Sequence, residues 1–152
     1  MSSVSRRQSM SANMPSAQHQ TLLLWGIRAM QRDGYEILGV DGCVERSGIP
    51  PSVARPPALE GIRPDALGFN ATVNVVGFIE AKTAGDIDNA HTRHQLRTLA
   101  QIHMRNARRP CPIYISIPRA AAYALDRVLI EIGLLRVRHV HRIHVPAAFL
   151  EV

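Results

Sequence analysis

Five small or apolar residues in a row, Val75-Val76-Gly77-Phe78-Ile79, run straight into Glu80-Ala81-Lys82. An apolar run of this length with no polar interruption predicts a strand buried on both faces, hence one at the centre of a sheet. Side chains alternate across a strand, so Glu80 and Lys82 share one face and Ala81 takes the other. A central strand needs pairing strands on its flanks and helices over its faces, and the remaining sequence has to supply both.

It does so in a readable order. Gln18 to Arg32 carries apolar residues at Leu22, Leu23, Trp25, Ile27 and Met30, which predicts a first helix stopped by Asp33-Gly34. Tyr35 to Val40 alternates as a strand. From Asp41 to Arg63 the chain is rich in Pro, Gly and Arg, and Pro50-Pro51 and Pro56-Pro57 forbid regular structure. A short strand follows from Asp65 to Phe69, then a turn over Asn70 to Asn74, then the apolar strand. Asp86 is a predicted N-cap for a helix running to Arg108, with Arg105, Arg108 and Arg109 crowding its end. Ile113 to Ile117 predicts a strand, Arg119 to Ile132 a helix ended by Gly133, and Leu135 to Val145 a last strand. The order αβββαβαβ, hairpins first and helical crossovers later, predicts an α/β fold with a mixed sheet flanked by helices. Residues 1–17 read as a disordered basic arm and residues 18–152 as one domain, with a transit peptide as the other reading of the arm.

Seventeen arginines stand against one lysine, and that lysine is Lys82. Arginine is a fixed planar cation, whereas lysine is a compact point donor that can address a single water, so a lone lysine two residues after an acid at the end of an apolar run points to chemistry. The competing reading is a solvated ion pair at a strand end, which would contribute little. A net charge of +6 favours a polyanionic partner, nucleic acid before an anionic membrane surface. Two cysteines, Cys43 and Cys111, are too few for a disulfide framework and lack metal-ligand spacing, which fits a reducing, cytoplasmic setting. No apolar stretch approaches the ~20 residues that cross a bilayer.

Fifteen residues before Glu80 stands Asp65, preceded by Pro64. Pro-Asp, the span of one hairpin, then Glu-x-Lys resembles the signature of the PD-(D/E)xK, or restriction-endonuclease-like, nuclease superfamily. The motif covers Arg63 to Lys82, and the order αβββαβ resembles that superfamily's core over about Gln18 to Ile117. The resemblance implies a restriction-endonuclease-like core with an added C-terminal helix and strand. It implies a Mg²⁺ site, with Mn²⁺ as a substitute, made by Asp65, Glu80 and the backbone carbonyl of Ala81. It implies Lys82 on the attacking water and Gln95, in the following helix, facing the site. Family members commonly add an acid from the first helix, and here that helix has none. Glu36 is the nearest substitute on this reading, with Glu45 and Glu60 behind it, and one metal fits better than two.

Arg136, Arg138, Arg142 and His144 fall on one face of the predicted last strand and, with Arg63, Arg93 and Arg97, are predicted phosphate contacts. The expected activity is therefore metal-dependent hydrolysis of DNA phosphodiester bonds. Aromatic stacking platforms and groove readers are not apparent, which favours structure-selective or non-specific cutting. Among family branches the chain looks most like Holliday-junction-resolvase-like or virus-type replication-repair nuclease domains, of the kind found in DNA repair, recombination, phages and mobile elements. Junction cutting would imply a homodimer. The alternative is a nuclease-fold DNA-binding or assembly protein that does not cut.

Overall fold

The computed structural model describes residues 16–42, 44–105 and 108–151. The predicted arm lies outside the described residues apart from its last two positions. Eight main elements follow one another as α1 (Ala17–Arg32), β1 (Glu36–Val40), β2 (Ala66–Asn70), β3 (Val75–Ala81), α2 (Ala90–Ala100), β4 (Ile113–Pro118), α3 (Ala122–Glu131) and β5 (Val140–Val145), with short 3₁₀ turns between some of them. The fold is α/β, and the element order is the one read from the sequence.

The sheet runs β1-β2-β3-β4-β5 in space. β1, β2 and β3 form an antiparallel meander, while β4 and β5 join β3 in parallel. Two crossovers proceeding in one direction along a sheet, both of the usual hand, lay their helices on the same face. Accordingly α2 and α3 bury Leu96, Leu99, Leu125, Val128 and Leu129 against Phe78, Ile113, Ile115 and Ile117. α1 covers the opposite face, packing Leu22, Leu23, Ile27 and Met30 against Ile79, Ala81, Tyr114 and Val145. Each such side chain, removed from water, contributes about 1.5–3 kcal/mol. The helix sits close to the sheet at Gly26, where a Cβ would stand 2.6 Å from Ile79 Cγ2.

β3 is buried along almost its whole length, and it is the strand where the antiparallel half meets the parallel half. Its carboxyl end, with those of β4 and β5, opens on the rim where α/β sheets usually present ligand sites.

Two elements are shorter than the sequence predicts. The helix expected from Asp86 to Arg108 is a 3₁₀ turn at Ala84–Asp86 followed by α2 alone. Asn89, not Asp86, caps α2, its side chain accepting from Thr92 N at 2.7 Å, while Asp86 accepts from Thr83 Oγ1 at 2.9 Å. Beyond Gln101 the chain folds back, with Met104 N donating to Arg109 O at 2.7 Å and Arg108 at φ 50°, so the arginines expected at a helix end stand on a loop. The last strand starts at Val140 and not at Leu135, because residues 135–139 form turns after Gly133.

Candidate functional site

Asp65 immediately precedes β2, and Glu80 is the next-to-last residue of β3. Ala66 pairs with Ile79, so continuing the antiparallel register by one residue sets Asp65 beside Glu80. The link is explicit in the backbone: Asp65 N donates to Ile79 O at 3.0 Å, and Ala81 N donates to Asp65 Oδ2 at 2.8 Å. Within a strand the N–H and C=O of one residue point to the same flank, which puts the Ala81 carbonyl on Asp65's side.

Glu80 is 2% exposed, and its Oε1 has no hydrogen-bond partner. Its Oε2 lies 3.8 Å from Lys82 Nζ. Burial, and next the Asp65 carboxylate, push its pKa well above the ordinary glutamate range, and the Lys82 ammonium only partly offsets them. Lys82, fixed in the sheet rim by its N–H to Ser116 O at 3.0 Å, donates through Nζ to Gln95 Oε1 on α2. Asp65, Glu80, Ala81, Lys82 and Gln95 are therefore brought together at one end of the sheet.

Two further residues join them that the motif does not contain. His19, in the first turn of α1, places Nε2 3.3 Å from Asp65 Oδ2. This pairing, above all, raises the imidazole pKa, against the opposing effect of burial. Asp41, one residue past β1, donates its N–H to Asp65 O at 2.8 Å, and its charge adds to the rise at Glu80. Its carboxylate holds Arg55 at 2.9 Å. The sequence carried a signal for Asp41, an acid at the carboxyl end of a strand beside the Pro-Asp strand. His19 followed from nothing in the pattern except its place on the first turn of a helix that covers β3.

The substitutes expected for the missing helical acid are not at the site. Glu36 pairs with Phe69, at the far end of β1 from Asp65. Glu45 and Glu60 are exposed on the long loop. Among the predicted phosphate contacts, Arg63 donates to Pro56 O, and Arg93 bridges Asp88 at 2.7 Å and Glu131 at 2.9 Å. Arg142 pairs with Asp126 at 2.6 Å, whereas Arg97 is exposed on α2. Arg136 and Arg138 stand in turns before β5, so the continuous basic strand face expected from Arg136 to His144 is not formed; only Arg142 and His144 share it.

The donor set fits a hard divalent cation. Two adjacent carboxylates, a backbone carbonyl on the same flank and a buried carboxylate oxygen with no protein partner are what such an ion relieves and binds. Among the described residues no three His, Cys, Asp or Glu side chains close on one point as a ready cage. Mg²⁺ usually takes only one or two protein carboxylates, with waters and substrate oxygens completing its shell. Among the described residues no helix is long and apolar enough to cross a membrane. Comparison with protein-family models, with curated proteins and with solved structures finds no match.

Proposed function

We propose that the chain is a divalent-cation-dependent deoxyribonuclease of the PD-(D/E)xK type, hydrolysing phosphodiester bonds with Mg²⁺ or Mn²⁺ held by Asp65, Glu80 and the Ala81 carbonyl. One observation carries the reading. Glu80 is buried beside a second carboxylate with one oxygen unpartnered, an arrangement that is unfavourable without a compensating cation. A purely structural acid at a strand end would be solvated or fully paired.

A divalent cation held there would supply Lewis acidity toward a phosphoryl oxygen and would lower the pKa of a water. The chain's own residues do the rest. Lys82, with Nζ held between Glu80 and Gln95, presents a point donor that orients the attacking water. Gln95 fixes that ammonium and is a positioning residue. The single acid pair, with a histidine and no carboxylate from α1, favours one cation over two.

Net positive charge supports DNA as substrate, and the exposed Arg97, Arg136 and Arg138 are available to phosphates. With no groove-reading element assigned, cutting is structure-selective or non-specific, and junction cutting would require a homodimer. The test is incubation with supercoiled, linear, single-stranded and branched DNA in Mg²⁺, Mn²⁺ or EDTA. Cleavage that EDTA abolishes supports the reading. DNA binding without cleavage in any metal replaces it with the non-cutting alternative.

A further inference from the structure

The chemistry above leaves His19 and Asp41 without a role, and of the two Asp41 is already paired with Arg55. His19 is held with Nδ1 buried and unpartnered and with Nε2 turned to Asp65. We propose that His19 is a positioning residue for the cation-binding carboxylate: its Nε2–H and the Ala81 N–H converge on Asp65 Oδ2 and leave Oδ1 for the cation. The inference rests on the nuclease reading of the site and adds a residue that the motif does not include.

Asp65 Oδ2 receives Ala81 N at 2.8 Å and faces His19 Nε2 at 3.3 Å, while Oδ1 has no hydrogen-bond partner among the described residues. A carboxylate with one oxygen accepting from its own sheet, and with an imidazole nitrogen 3.3 Å from that oxygen on the helix above, is restrained in its rotation. The remaining oxygen is then presented in a fixed direction, which is the service that outer partners give to ligating carboxylates. The tautomer follows from the surroundings. Asp65 is the acceptor within reach, and it lies at Nε2, so the proton of the neutral ring belongs there and not on the buried, partnerless Nδ1.

The ring is carried on a rigid support. Ser16 caps α1 by accepting from His19 N at 3.0 Å, which fixes the backbone of that residue. Further along, Leu22, Leu23 and Ile27 bind the helix to the sheet. His19 thus relays the position of α1 to Asp65, on the opposite side of the rim from Gln95 and Lys82.

The experiment is Mn²⁺ titration of the full chain followed by electron paramagnetic resonance, in mildly alkaline buffer so that the ring is a neutral donor. Wild type is expected to bind and Glu80→Gln not to. His19→Ala is expected to weaken binding about 10–100-fold, the usual consequence of losing an outer partner. His19→Gln, whose amide Nε2 takes the place of the imidazole donor, is expected to recover most of it. A scaffolding role alone would not be rescued by that amide. Undiminished affinity in His19→Ala, or equal losses in both variants, overturns the inference while leaving the nuclease reading intact. A wild-type protein that binds no Mn²⁺ overturns both. Should His19→Ala fail to fold, ¹⁵N spectra of the wild-type imidazole decide: an Nε2 proton retained on Mg²⁺ saturation supports the role, and its loss, which would make the ring itself a ligand, refutes it.

Discussion

Lys82 Nζ stands 3.8 Å from Glu80 Oε2 and donates to Gln95 Oε1, so the chain's one lysine is gripped by β3 on one side and α2 on the other. Its side chain is only 12% exposed, so a larger head group would have to be accommodated largely within the protein. A planar guanidinium keeps the charge but cannot keep the point geometry, and misplacement of about 1 Å lowers rates ~100-fold. Lys82→Arg is therefore expected to lose most single-turnover cleavage with DNA affinity unchanged by anisotropy. Wild-type cleavage in this variant would mean that charge alone suffices.

Glu80 gives a pH dependence with a definite sign. Its folded pKa lies well above the ordinary value of 4.5, so the folded state binds the proton more tightly than the unfolded state. The stability this contributes is fully present below about 4.5 and is lost as pH rises through the folded pKa. In EDTA, wild-type melting temperature should fall as pH rises over that range, while Glu80→Gln, which removes the ionisation at equal volume, should be flatter and higher at neutral pH. Mg²⁺ should raise the wild type alone. Parallel melting profiles of the two proteins would show that the buried acid is already compensated within the fold.

The order of elements and the pairing of Asp65 with Glu80 were legible because each rests on local signals: an apolar run, a two-residue period and turn residues around Asn70-Asn74. What the sequence concealed is tertiary. Apolar spacing over residues 86–108 predicts one helix, but Asp86 is engaged with Thr83, Asn89 caps the helix instead, and the helix ends at Ala100 before Met104 bonds back to Arg109. Alternation over residues 135–145 predicts a strand, yet only the residues from Val140 onward have β4 beside them to pair with. His19 lies 46 residues from Asp65 along the chain, and no local pattern links a helix's first turn to a strand's first neighbour.

The arginines separate into committed and free ones, which salt dependence can read. Arg93 already bridges Asp88 and Glu131 and so ties α2 to α3, whereas Arg97 is exposed one turn further on. Removing one phosphate-neutralising cation lowers the slope of log affinity against log salt by about 0.7–0.9. Arg97→Ala is expected to lower the slope by about that amount at unchanged melting temperature. Arg93→Ala should lower melting temperature and leave the slope alone. A reversed pattern would show that Arg93 leaves its acidic partners to bind DNA.

Gly26 tests whether the seating of α1 controls the site from a distance. Inside a helix, Gly→Ala normally stabilises by about 0.5–1 kcal/mol. Here the added Cβ would stand 2.6 Å from Ile79 Cγ2, a branch atom of a fully buried side chain with no free end to swing aside. Overpacking of this kind destabilises by about 1–3 kcal/mol, so the clash should outweigh the propensity gain. Relief requires α1 to lift from β3, and His19 rides on that helix while Asp65 belongs to the sheet. Gly26→Ala is therefore expected to lower the urea midpoint and also weaken Mn²⁺ binding, although the substitution touches no residue of the site. Reduced stability with unchanged Mn²⁺ affinity would mean that β3 yields instead of the helix and that the His19–Asp65 contact follows it.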